Sequence, residues 1–291
     1  MSHPIPGLED KARLGILLTL MAWLMFALVD TGAKWVAMAG LPAAQIAFFR
    51  YFGHFVVSTG LYIRDGEPLH IPQHFGLISL RAVLLIAATL SNFYILRILP
   101  LTTVSAIMFS SPVIVCFLSV ALLREQVGLW RWGAILLGFV GVLIVIRPFG
   151  ESFHPAMLLA LMNASFLACY SLLTRALAGK VSTDVMQFWM GVWGVTILLP
   201  PAIWLWQPPG SWIDWAILLG LGIFAWAGHQ WLTTAHRFAT ANTLMPFTYS
   251  FLLYLTVLSY FVFAHVPSIW TLIGASVVMV SGLIIWHREA R

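Results

Sequence analysis

Trp226, His229 and Gln230 are spaced three and four residues apart, which puts them on one face of an α-helix, inside the apolar stretch LLGLGIFAWAGHQWLTTAHRFA (218–239). An imidazole and an amide so placed can hydrogen-bond a ligand. A shared zinc is excluded, because His229 and His236 stand roughly 10 Å apart along a helix and a metal accepts ligands at about 2 Å. Asn163, Phe166 and Tyr170, at successive steps of three and four, likewise share one helical face, and Thr89 stands three before Asn92. Ser105, Met108 and Ser111, and farther on Met245 and Thr248, add hydroxyl and thioether groups. No HExxH or GxSxG motif occurs, and the acidic residues lie almost all at helix ends or in loops, so a catalytic set is not in view.

Charges inside apolar runs are costly in lipid and need a partner or water. Asp30 and Lys34 are four apart, so an i,i+4 ion pair is expected, with Arg50 also in reach of Asp30. These three are read as structural or gating groups at the outer end of the pathway. Arg81 is expected to extend its head to the headgroups. His54, one turn beyond Arg50, reads either way. Pro112 and Pro246 each remove a backbone donor and permit bending, which makes their helices candidate gates.

These residues sit in a chain made for a bilayer. Of 291 residues 61% are hydrophobic and 9% charged, against about 25% charged in a soluble domain. The apolar runs are about 20 residues long, enough for a helix to cross roughly 30 Å of hydrocarbon. Ten such spans are expected, at 12–34, 43–63, 75–96, 101–123, 129–147, 155–177, 184–206, 212–235, 241–264 and 268–287. A β-barrel would read as alternating segments about ten residues long. Turn chemistry separates the runs, as in RDGEP (64–68) and QPPG (207–210), with no room for a soluble domain. Cys116 and Cys169 fall within spans, which argues against a disulfide framework.

With the N-terminus in the cytoplasm, the inner side receives Lys11, Arg13, Arg64, Arg124, Arg131, Arg175, Lys180, Arg237, Arg288 and Arg291, and the outer side Lys34, Arg97 and Arg147. This excess predicts both termini inside. The net charge of +5 then belongs to topology and to anionic lipid headgroups, and nucleic acid is not an expected partner.

Residues about 140 apart repeat. Leu17, Leu18, Leu20, Met21 and Ala27 match Leu158, Leu159, Leu161, Met162 and Ala168; Arg97, Thr103 and Trp130 match Arg237, Thr243 and Trp270; Phe109 matches Tyr249. Gly133 and Gly141 recur as Gly274 and Gly282, and Thr89 corresponds to His229. A five-helix unit is therefore expected twice, over 12–148 and 155–287. Five is odd, so the second unit enters from the opposite side. Inverted repeats can exchange conformations around a midplane site, the design of an alternating-access carrier.

The stretch SAIMFSSPVIVCFLSVALLREQVGLWRWGAILLGFVGVLIVIRP (105–148) and its weaker partner VFAHVPSIWTLIGASVVMVSGLIIW (262–286) resemble the drug/metabolite transporter superfamily, EamA type. The resemblance implies an all-α membrane protein with a central cavity lined mainly by its first, third, fourth, sixth, eighth and ninth helices. Members similar to this chain include bacterial exporters of amino acids, aromatic ones among them, and carriers of riboflavin and S-adenosylmethionine. The expected function is therefore broad-specificity export of amino acids across a bacterial-type inner membrane by facilitative or exchange transport, with riboflavin or S-adenosylmethionine as the alternative cargo. The expected substrate contacts are Thr89, Asn92, Met108, Asn163, Tyr170, Trp226, His229, Gln230 and Thr248. His236 and Arg237 would mark the cytoplasmic exit. No cofactor or metal is expected, and the assembly is a monomer or homodimer in contact with lipid.

Overall fold

The computed structural model describes residues 12–64, 73–111, 113–115, 117–118, 129–147, 153–177, 180–239 and 244–289. The chain is an all-α membrane protein whose helices follow the runs of the sequence: α1 (Ala12–Met38), α2 (Ala43–Arg64), α3 (Phe75–Leu96), α4 (Leu101–Met108), α5 (Leu129–Ile146), α6 (Ala156–Leu177), α7 (Thr183–Trp204), α8 (Trp212–Phe238), α9 (Ser250–Phe263) and α10 (Ile269–Glu289). Among the described residues, five helices are by themselves long and apolar enough to span a bilayer: those over Arg13–Met38, Phe75–Leu96, Ala156–Thr174, Asp184–Trp204 and Trp212–Ala235.

Local chemistry sets several helix ends. Ser182 accepts a hydrogen bond from the Val185 amide at the start of α7. At the start of α8, Ser211 accepts from the Asp214 amide at 3.2 Å and donates to the Asp214 carboxylate at 2.8 Å. These side chains satisfy amides that the first turn leaves free. The other Asp214 oxygen accepts from the Trp35 indole at 3.2 Å, which ties α8 to α1. Gln45 at the head of α2 clamps the backbone of Gln207 from both sides, at 2.8 and 3.0 Å.

Two expected spans are not continuous α-helix. In the span read as 241–264, Met245–Tyr249 form a 3-10 turn before α9 begins, with Pro246 among its first residues, where a missing amide costs least. The side chain of Pro246 lies outside the described residues. In the span read as 101–123, α4 ends at Met108 and the chain turns at Phe109 and Ser110, where Ser110 donates to Ile107 instead of continuing the α pattern. Pro112 lies outside the described residues. The two interruptions fall at matching places in the two halves.

The packing shows how the halves meet. Helix α2 packs on α7, α4 on α9 and α5 on α10, each the counterpart of the other under the shift of about 140 residues, while α1 packs on α8 and α3 on α6. That set of pairs maps onto itself when the halves are exchanged, which is the two-fold relation of inverted repeats. Small residues bring the backbones together: a Cβ on Gly222 of α8 would lie 2.5 Å from the Gly53 Cα of α2. In lipid, where apolar burial alone does not drive helices together, such close van der Waals approach does.

Candidate functional site

The polar residues of α1, α2, α3 and α6 meet between the helices. Asn92 donates to Asp30 at 3.1 Å, and Asn163 donates to the Asn92 carbonyl at 3.4 Å, a relay across α1, α3 and α6. Thr89, buried one turn before Asn92 on α3, accepts from Arg50 at 3.2 Å and pairs with the Tyr51 hydroxyl at 3.1 Å. The Arg50 guanidinium lies 5.0 Å from the Tyr51 ring centroid. Its charge also reaches Asp30, His54 and His229.

Three expectations are corrected at this point. Asp30 and Lys34 do not form their i,i+4 pair. Lys34 instead donates to the carbonyl of Leu96, the last residue of α3, at 2.7 Å and to that of Leu99, in the turn that follows, at 2.8 Å, because carbonyls at a helix C-terminus lack helical partners and carry the negative end of its dipole. Arg81 does not reach for the headgroups. It is 4% exposed and turned inward, donating to Thr174 at 2.7 Å and to the Tyr170 hydroxyl at 2.6 Å, with its guanidinium 4.4 Å from the Tyr170 ring centroid. An inward hydroxyl pair at four-residue spacing on α6 offers what headgroups would otherwise supply. Finally, α2 and α7, which are not among the helices expected to line the cavity, contribute to the polar interior through Arg50, Tyr51, His54 and Gln187.

A ladder of rings runs through the same interior. Tyr249 contacts Phe109 at 5.3 Å between centroids, Phe109 contacts Phe251 at 6.4 Å, Phe251 contacts Trp23 at 5.4 Å, and Trp23 contacts Phe26 at 5.5 Å. Phe26 meets His229 edge to face at 4.9 Å, and His229 meets His54 at 6.1 Å. Trp226 and Gln230 face another way. With Ser58, Leu61, Asp184 and Gln187 they line a cleft of about 20 Å³ between α2, α7 and α8, room for about one water. Met108 is half-buried against the apolar core, and Thr248 is half-buried in the 3-10 turn. The side chains of His236 and Arg237 lie outside the described residues.

Thus Thr89, Asn92, Asn163 and Tyr170 share one polar interior, His229 joins it through Phe26 and His54, and Trp226 and Gln230 stand apart in the cleft. Sequence reasoning missed Tyr51, Gln187 and the inward turn of Arg81. The signal for the first was the cluster Arg50, Tyr51 and His54 within one turn of an apolar helix. For Arg81 it was the matching pair Tyr170 and Thr174 on another span.

Several buried polar atoms here have no hydrogen-bond partner: Arg81 Nη1, Asn163 Oδ1, Trp23 Nε1, His54 Nε2, His229 Nε2 and Gln187 Oε1. Each such group costs about 1–3 kcal/mol unless something satisfies it.

Comparison with known proteins agrees with this architecture. Residues 13–147 match the EamA-like transporter family. The chain is 30% identical to a riboflavin transporter of Vibrio cholerae, over 95% of this chain and 94% of that one. It is 28% identical to an S-adenosylmethionine uptake transporter of Rickettsia conorii, over 94% of both, and 25% identical to a pseudopaline exporter of Pseudomonas aeruginosa, over 94% of this chain and 95% of the other. A solved crystal structure 18% identical in sequence superposes with a TM-score of 0.64, covering 97% of this chain and 100% of its own.

Proposed function

Because the chain belongs to the EamA-like transporter family and is a multi-pass membrane transporter, we propose that its cargo is an α-amino-acid metabolite bearing a planar heteroaromatic ring, of which S-adenosylmethionine is the type. Arg81 carries this reading. Among the described residues its hydrogen bonds go only to the hydroxyls of Tyr170 and Thr174, no carboxylate pairs with it, and its Nη1 is buried without a partner. A buried guanidinium lacking a counter-charge is expensive, and truncating or satisfying such a charge changes the energy by several kcal/mol. The cargo's carboxylate brings the missing charge, and arginine suits it because its planar fork matches a carboxylate.

The ring ladder supplies the second half of the argument. It extends over several ring contacts from Tyr249 to His229, more aromatic surface than a simple amino-acid side chain covers, and edge-to-face packing on such walls favours a flat ring. Relatives named for S-adenosylmethionine and riboflavin transport support a ring-bearing cargo. Release of unmodified amino acids is the second reading, since Arg81 would anchor any α-carboxylate. Riboflavin lacks a carboxylate and would leave Arg81 uncompensated.

The reading is completed by facilitative or exchange transport, with direction following the cargo gradient across a bacterial-type inner membrane and both termini in the cytoplasm, as the excess of basic residues on the inner side supports. The narrow cleft between α2, α7 and α8 requires helices to part before a metabolite passes, as alternating access demands. The test is counterflow in proteoliposomes with radiolabelled S-adenosylmethionine, riboflavin and phenylalanine. Saturable S-adenosylmethionine counterflow that Arg81→Gln abolishes is the expected result. Phenylalanine or riboflavin transport without S-adenosylmethionine transport would replace this cargo with another.

A further inference from the structure

We infer that the turn joining α7 to α8, residues 203–215, docks into the headgroup layer of the bilayer on the side expected to face outward, with Trp204 and Trp212 as its anchors. This surface is independent of the cargo's identity.

The segment IWLWQPPGSWIDW (203–215) holds four indoles and one charge. That charge is withdrawn from the surface. Asp214 is 5% exposed, and one of its carboxylate oxygens accepts from Ser211 at 2.8 Å while the other accepts from the Trp35 indole at 3.2 Å. What remains outside is apolar: Trp204 is 85% exposed and Trp212 78%, with Ile203, Leu205 and Ile213 exposed beside them. Large apolar side chains gathered this densely mark a surface that a partner covers.

The helices set these rings at a definite depth. The α7 span runs from Asp184 to Trp204, 21 residues, which at 1.5 Å per residue is about 30 Å, the thickness of the hydrocarbon core. The α8 span opens at Trp212. Both indoles therefore fall where hydrocarbon gives way to headgroups, the depth an indole prefers because its ring is apolar and its N–H polar. The exposed apolar faces of the two helices lead into the patch, through Leu199 and Ile203 on α7 and through Ile223, Leu219 and Trp215 on α8.

The other two indoles tie the turn to its neighbour. Trp206 and Trp215 stand 6.2 Å apart between centroids, and they meet Phe49 of α2 at 6.1 and 6.0 Å. Gln45 of α2 clamps Gln207 from both sides. Trp204 and Trp212 thus project from a base shared with α2. Lysine and arginine, which draw a segment to anionic lipid, do not occur in 203–215, so the partner is the headgroup layer whatever its charge.

Spin-label depth in proteoliposomes of the full chain, with Cys116 and Cys169 replaced by alanine, tests the docking. Gly210→Cys takes the label, since a Cβ there meets only Asp214 Oδ2, at 3.8 Å. Arg97→Cys, at an exposed position expected on the same side, carries the reference label. Collisions with oxygen, which concentrates in lipid, are compared with collisions with a nickel chelate that stays in water. The label at Gly210 should lie within the headgroup layer, roughly 5–8 Å thick, with an oxygen-to-nickel collision ratio several-fold above that at Arg97. Phosphatidylcholine vesicles with and without phosphatidylglycerol should give the same ratio. Trp204→Gln combined with Trp212→Gln should bring it toward the Arg97 value and leave the label at Arg97 unchanged.

Equal ratios at Gly210 and Arg97 with both tryptophans in place overturn the docking. An unchanged ratio in the double tryptophan variant overturns the role of the two indoles. Dipolar broadening between Gly210 labels that persists on dilution into excess lipid gives the patch to a second copy of this chain and overturns the lipid assignment.

Discussion

Phe109 and Tyr249 occupy matching positions in the two halves, and their rings touch, with centroids 5.3 Å apart and planes tilted by 49°. Residues related by a two-fold axis meet one another only at that axis, so the pair marks where the halves abut, at the interrupted ends of two matching spans. Tyr249→Ala should destabilise the protein by roughly 3 kcal/mol, the usual cost of removing a buried ring. Tyr249→Phe should cost far less. Thermal unfolding in detergent distinguishes them, and equal losses would assign the cost to the hydroxyl instead of to the ring contact.

Lys34 joins three parts of the chain at one end of the bundle: α1, the carbonyls of Leu96 and Leu99 at the end of α3 and in the turn after it, and Phe263 of α9, whose ring centroid lies 5.6 Å from Nζ. Hydrogen bonds from a charged donor are worth about 1.5–3 kcal/mol each. Lys34→Met should lower the unfolding temperature and increase labelling of a cysteine placed at Phe263 from the side expected to face outward. Lys34→Arg should preserve most of the stability. Unchanged labelling in Lys34→Met would show that the contact supports the fold without closing that end.

The crossing of α2 over α8 leaves no room at Gly53 and Gly222, where an added Cβ would come within 2.9 and 2.5 Å of the opposing backbone. Neither backbone can yield as a flexible side chain would. Gly222→Ala should cost about 1–3 kcal/mol through overpacking, and the double variant Gly53→Ala with Gly222→Ala should fall short of additivity, since one separation of the helices relieves both clashes. Strict additivity in thermal unfolding would mean that the helices do not separate as a unit.

His265, between α9 and α10, is held below the ordinary histidine value, first by burial and then by the charge of Lys34. The unfolded chain takes up this proton at a pH of about 6.5 while the folded chain resists it. The unfolded state then binds more protons, so stability falls as pH drops below about 6.5 and levels off beneath the depressed value. His265→Gln should flatten that part of the stability profile. A profile identical to that of the unmodified protein would assign the acid sensitivity to other groups.

The membrane-spanning helices were legible because each is a run long enough to cross hydrocarbon, and lipid obliges a run of that kind to satisfy its backbone within itself. The duplication was legible from side chains repeating at a shift of about 140, such as Phe109 with Tyr249 and Gly141 with Gly282. Helical spacing also found the face that Asn163 and Tyr170 share. What spacing specifies, however, is a direction from one helix axis; it does not identify the neighbour in that direction.

Only the tertiary structure decided those neighbours. Asp30 and Lys34 lie on one face of α1, yet Asp30 turned to Asn92 and Lys34 to the carbonyls of Leu96 and Leu99 at and just past the end of α3, because charge-assisted hydrogen bonds to groups elsewhere in the chain outweigh an i,i+4 pair worth a few tenths of a kcal/mol. Arg81 turned inward because α6 sets Tyr170 and Thr174 beside it, a juxtaposition of residues 89 and 93 positions apart. The sequence by itself determined that this chain crosses a membrane as a duplicated helical bundle, since those properties depend on length, apolarity and repetition. The packing of the helices decided which polar atoms were paired and which were left open, since each pairing depends on a partner that arrives from elsewhere in the chain.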